Sequence, residues 1–205
     1  MSEAPHLRST ERLVFFTDAV VAIAMTLLIL PLLEAVTEAA RTGLDTMGFL
    51  AEHDGQLWSF ALSFVIISVF WRSHDRLFSH VRASDGVLHW LNVGWMFTIV
   101  WLPVVTAMVG AMETDRLQMA LYIGTMLVTS LLELAMMARL RRRPELVDPG
   151  NGRAPDGSRG VLFVAGLFAL SLLLAVIVPG LGYWALLALL LNPVLDQFQR
   201  RRRRS

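Results

Sequence analysis

The sequence predicts an all-α integral membrane protein with six transmembrane helices. Three observations carry that expectation. Hydrophobic residues make up 55% of the 205-residue chain, and its mean hydropathy is +0.56. Soluble proteins run at roughly 45–50% apolar. The apolar excess is gathered into long runs, and the charges between the runs are segregated by sign, as in membrane-spanning chains.

The expected helices cover about 11–34, 55–80, 86–112, 116–141, 160–178 and 181–199, in a single domain over 1–205. Spanning segments must satisfy their own backbone groups, so the runs are read as helices rather than isolated strands. Ser9 and Thr10 precede the first, with Glu11 and Arg12 in its opening turn. Ser84-Asp85-Gly86 separates the second from the third, and Glu113-Thr114-Asp115 the third from the fourth. Pro179-Gly180 forms a tight turn before the sixth. The second and sixth apolar cores are short against the ~20 residues a span needs; Phe78 and Phe198 extend them. The acidic stretch 34–56 has room for a short amphipathic helix, and 139–159, with its prolines and glycines, reads as a flexible connection. The polar start leads directly into the first run, so that helix is expected to remain in the mature protein.

Charge placement sets the expected topology. All 18 basic residues are arginine, and 16 fall on one side if the N-terminus is cytoplasmic. The other side carries Arg41 and Arg116 against seven acids: Glu34, Glu38, Asp45, Glu52, Asp54, Glu113 and Asp115. This positive-inside asymmetry predicts a multi-pass cell-membrane protein with both termini cytoplasmic. The arginine run at 200–204 is read as a topology and anionic-lipid anchor rather than a nucleic-acid tail. Absence of cysteine excludes disulfides and thiolate metal sites. No nucleotide loop, metal-ligand set or nucleophile–base pair is present, so neither an enzyme nor a cofactor is expected.

The first helix carries Arg12 and Asp18 at the mouth of an aliphatic run with one hydroxyl, Thr26. Ionisable groups in a membrane segment are costly and mark functional sites. Ile23, Leu27, Leu30 and Glu34 fall at steps of four, three and four, on one helical face. Trp71, His74 and Phe78 share a face of the second helix. Asn92 lies early in the third, followed by Leu102-Pro103 and Thr106.

These residues resemble the transmembrane protein 175 family of potassium channels. Its first-helix signature is matched by Arg12, Phe16-Thr17-Asp18, Ala22-Ile23 and Thr26-Leu27-Leu28, with Thr17 where serine is usual. Its second-helix element is matched by Trp71, His74 and Phe78, and its third by Leu91-Asn92 and Leu102-Pro103. The resemblance implies a homotetramer of six-helix subunits whose first helices line a potassium pathway without a carbonyl filter loop. It also implies a hydrophobic constriction at Ile23 and hydroxyls near Thr26 that bear on selectivity. Potassium ions would occupy the pore transiently.

The residues themselves agree with that implication. Four copies of the stripe would stack apolar rings of Ile23, Leu27 and Leu30 beneath an outer acidic ring of Glu34. Apolar rings gate by dewetting and acidic rings concentrate cations. Arg12, Thr17, Asp18, Trp71, His74 and Asn92 reach one depth, and read as a polar lock holding the first helix against the second and third. Trp90, Trp95 and Trp101 are read as packing anchors, and Trp71 and Trp184 as interfacial. Glu133 sits inside the fourth run with no partner assigned. The alternative function is a proton-coupled secondary transporter using Asp18, His74 and Glu133 as a relay.

Overall fold

In lipid no water can satisfy a loose amide, and the apolar runs fold accordingly as helices. The computed structural model describes residues 5–113, 115–148 and 158–177. In order these form α1 (Pro5–Leu27), α2 (Leu30–Thr42), α3 (Thr46–Glu52), α4 (Asp54–Phe78), α5 (Gly86–Ala111), α6 (Arg116–Arg142), a 3-10 turn (Pro144–Leu146) and α7 (Ser158–Ile177). Among the described residues, four stretches are long and apolar enough to cross a membrane: Thr10–Thr42, α4, α5 and α6. A shorter apolar stretch, Gly160–Leu173, lies in α7. The helix expected over 181–199, with Trp184 and the terminal arginine run, lies outside the described residues.

Aspartates start three of these helices. Asp45 Oδ1 accepts from the Gly48 amide at 2.8 Å, Asp85 from Leu88 at 2.9 Å and Asp115 from Gln118 at 2.7 Å. Each satisfies an amide that the first turn leaves open. α2 ends on Gly43, whose φ of 73° is left-handed and suits a residue without Cβ.

The stretch expected as one helix over 11–34 is two. α1 stops at Leu27, Leu28–Ile29 form a turn, and α2 resumes at Leu30. Pro31 is the cause: it has no N–H for the Leu27 carbonyl and its ring crowds that carbonyl. The turn closes on a tighter bond, Ile29 N–H to Thr26 C=O at 3.3 Å. The acidic stretch 34–56 holds the rest of α2, then α3. The segment 139–159 is more ordered at its start than a flexible connection. α6 runs on to Arg142, the 3-10 turn follows, and Val147 pairs with Val81 in an antiparallel bridge. Leu146 C=O accepts from Arg82 N–H at 2.8 Å, and Asp148 N–H donates to His80 C=O at 3.0 Å.

α5 is the hub. It packs against α4, α6 and α1, while α7 packs on α6. Its Trp95, Ile99 and Leu102 are fully buried with Ile67 of α4 and Ile123, Met126 and Met136 of α6. α1 rests on α4 and α5 and so stands at the margin of the described helices.

Candidate functional site

α1 has two unlike faces. Leu13, Thr17, Val21 and Ala24, followed by Leu28 in the turn beyond, recur every three or four residues and are buried, with α1 packed on α4 and α5. The opposite stripe is open and runs on into α2: Ile23 is 59% exposed, Leu27 38% and, in α2, Leu30 48%, with Glu34 exposed above them. Thr26 is exposed on the same side. Its hydroxyl donates to Ile23 C=O at 2.7 Å, so its proton is committed and its oxygen lone pairs remain available.

Two polar connections hold the buried face. The first joins three helices. His74 Nε2 of α4 lies 2.6 Å from Asn92 Oδ1 of α5, and Asn92 Nδ2 donates to Thr17 Oγ1 of α1 at 2.9 Å. Thr17 donates onward to Leu13 C=O at 2.8 Å. An amide oxygen only accepts, so His74 carries its proton on Nε2. All three side chains are buried. The ring of His74 stacks between Phe78 and Trp95, with centroids 4.3 Å away on each side. The second connection is Trp71 Nε1–H to Asp18 Oδ1 at 2.9 Å. Arg12 is exposed and joins neither, with no hydrogen bond or ion pair among the described residues.

Thus the spacing motifs Phe16-Thr17-Asp18, Trp71-x-x-His74 and Asn92 meet at one place, where α1 leans on α4 and α5. Trp95 closes that place, although spacing alone marked it only as a packing anchor. Trp90 is 71% exposed and Trp101 is exposed as well, so of the three α5 indoles only Trp95 is buried.

Glu133 of α6 is buried and accepts a hydrogen bond from Ser73 of α4. Nearer the other end of the bundle, Ser63 Oγ lies 2.8 Å from Tyr122 OH, and Thr106 Oγ1 donates to Ser63 Oγ at 2.7 Å. Ser63 precedes Ser73 by ten residues and Tyr122 precedes Glu133 by eleven. At the helical rise these are about 15 and 16 Å, so parallel α4 and α6 meet twice in register. Thr129 of α6 donates to Thr98 of α5 at 2.9 Å. Small polar residues recurring at helical spacing, Ser59-Ser63 and Thr125-Thr129, were the available signal for these contacts. Among the described residues no hydrogen bond joins Asp18, His74 and Glu133 to one another; each has its own partner.

Residues 12–103 match the family model described as endosomal/lysosomal potassium channel TMEM175. A Streptomyces collinus protein named as a potassium channel is 31% identical over 151 residues, covering 70% of each chain. The zebrafish protein named endosomal/lysosomal proton channel TMEM175 is 26% identical over 126 residues. The match covers 62% of this chain but only 24% of that longer relative. In fold the chain is similar to the crystal structure of a lysosomal potassium-selective channel TMEM175 homolog from Chamaesiphon minutus. The TM-score is 0.74 at 23% identity, over 92% of this chain and 98% of that one. With its α1 signature and spanning helices, this chain belongs to the TMEM175 family of ion channels.

Proposed function

We propose that this chain is one subunit of a homotetrameric, potassium-selective channel in a cell membrane, with both termini cytoplasmic and α1 of each subunit lining the pathway. The observation that carries this reading is the unlike pair of faces on α1. One is bonded into the subunit through Thr17 and Asp18, and the other leaves Ile23 and Leu27, with Leu30 beyond them in α2, without cover at the margin of the described helices.

A single helix cannot enclose a pathway, and identical subunits usually close about a rotation axis. Four α1 stripes around such an axis would form successive apolar rings, narrowest at Ile23. A ring of aliphatic side chains resists wetting, so an ion meets a dehydration barrier there. The Thr26 oxygens offer part of a replacement shell, and the Glu34 carboxylates raise the local cation concentration. The named activity of the Streptomyces relative agrees with potassium as the ion.

The test combines assembly with permeation. Native mass spectrometry in mild detergent is expected to show four copies. Purified protein in a planar bilayer with potassium on one side and sodium on the other is expected to give a reversal potential near that for potassium. A conducting monomer, or a reversal potential near zero, would overturn the reading.

A further inference from the structure

The end of the bundle where α6 finishes carries a second site, away from the α1 stripe. Arg139 of α6 reaches the start of α5, where its Nε and Nη2 donate to Asp85 Oδ2 at 3.0 and 2.5 Å. Both oxygens of Asp85 are engaged: Oδ2 takes the guanidinium and Oδ1 takes the Leu88 amide. Arg139 is not. A guanidinium has five N–H donors, so donors remain on a group already pinned in place. Arg139 lines an open groove of about 620 Å³ with Asp85, Gly86, Val87, Trp90 and Leu91.

The groove is two-natured. One wall is apolar, and its Trp90 and Val87 are 71% and 50% exposed. An indole so placed near the end of a spanning helix suits the headgroup level of a bilayer. The other wall carries Arg139. Arg142 follows it by three residues on α6, outside the lining but on the same side of the helix, and Arg143 caps that helix. Arg143 is paired with Glu145 at 3.1 Å, whereas Arg142 is exposed. Asp85 brings a negative charge, but Arg139 neutralises it and Arg142 leaves the local balance positive.

We propose that this groove binds the headgroup of an anionic phospholipid. Its phosphate meets the spare donors of Arg139, and its glycerol and first methylenes lie on Val87, Trp90 and Leu91. Basic pockets between spanning helices are suited to such headgroups. The charge supplies the preference and the indole wall supplies the seat.

The test is native mass spectrometry of the intact protein titrated with phosphatidylglycerol or phosphatidylcholine. Wild type is expected to favour phosphatidylglycerol by about fivefold or more, the scale of one basic contact near a membrane surface. Arg139→Gln is expected to lower the preference several-fold, to the background set by the terminal arginine run. Val87→Asp serves if Arg139→Gln does not fold. It is exposed in the first turn of α5, where an acid suits the helix dipole, and it sets a negative charge against the phosphate. It is expected to lower the preference to the same background with an unchanged thermal midpoint. The terminal arginine run is intact in every variant and sets a common background. Equal binding of the two lipids by wild type, or an undiminished preference in a folded variant, would overturn the proposal.

Discussion

Asn92 donates its amide N–H to the hydroxyl of Thr17 at 2.9 Å, and that bond ties the hub helix α5 to the marginal helix α1. The same side chain receives His74 through its oxygen, so one amide serves three helices. Replacing it by alanine leaves the buried His74 nitrogen without an acceptor, while Thr17 keeps its bond to Leu13. The expected cost is about 1–3 kcal/mol, the penalty for one orphaned buried group. Thermal unfolding in detergent, followed by tryptophan fluorescence, reads this as a lower midpoint; an unchanged midpoint would remove Asn92 from the lock.

Asp18→Ala is expected to reduce assembly or expression before it alters ion preference, because Asp18 holds Trp71 rather than facing the α1 stripe. Asp18 is half-buried, so the loss is about 1 kcal/mol, below the range for fully buried charged bonds. Size-exclusion profiles of Asp18→Ala and Trp71→Phe should shift together. A normal profile with altered conductance would assign Asp18 to the pathway.

Ile23→Asn is expected to raise current while narrowing the difference between potassium and sodium. A polar ring admits water and lowers the dehydration barrier. Ile23→Cys is expected to react with thiol reagents, cleanly so because the chain has no cysteine of its own. Protection at position 23 with strong labelling on another helix would move the pathway. Selectivity retained in Ile23→Asn and lost in Thr26→Val would place discrimination at the hydroxyl ring.

Glu133→Gln keeps the shape of the side chain and an oxygen for Ser73, and is expected to leave the thermal midpoint within a few degrees. Glu133→Lys buries an ammonium where, among the described residues, the hydrogen-bond partner is a serine hydroxyl. The penalty for an uncompensated buried charge is on the order of several kcal/mol, so folded protein should be lost. Equal recovery of both variants would show that α4 and α6 part easily at this point.

The Asp85 carboxyl titrates below the usual carboxylate range, chiefly because Arg139 hydrogen-bonds its charged form and then because the Leu88 amide does. A depressed folded-state value means that the stabilisation is present above the ordinary carboxylate range and fades as pH falls through it. The ion pair is about a quarter exposed on each side, so its share is about 0–1 kcal/mol. Asp85→Asn retains the capping oxygen and removes the charge. Its midpoint should lie below wild type at neutral pH, and the two should converge in acid. A constant gap across pH would assign the difference to the cap.

The α1 motif was legible because both its faces obey helical spacing. The pairing of Thr17, His74 and Asn92 followed from three motifs reaching a common depth. Arg12 followed the same logic and fails it, since depth along a helix says nothing of direction around it, and Arg12 turns outward. The partner of Glu133 was not legible. Ser73 meets it only because both α4 and α6 pack on α5, which sets a register no single helix encodes. Pro31 was visible, but a proline one turn from an expected helix end reads as a stop; here the helix breaks at Leu28–Ile29 and resumes as far as Thr42. The Val81–Val147 bridge joins two loops and leaves no periodic trace.

The break at Leu28–Ile29 makes the signature-bearing stretch two helical pieces rather than one rod. Below it, α1 is riveted to its neighbours by Thr17 and Asp18; above it, α2 leans on α4 with its apolar Leu33 and Val36 uncovered. A continuous helix would deliver any tilt of one end to the other. A segmented one lacks a backbone hydrogen bond at the junction, so each piece is held by its own contacts, α1 by Thr17 and Asp18 and α2 by α4.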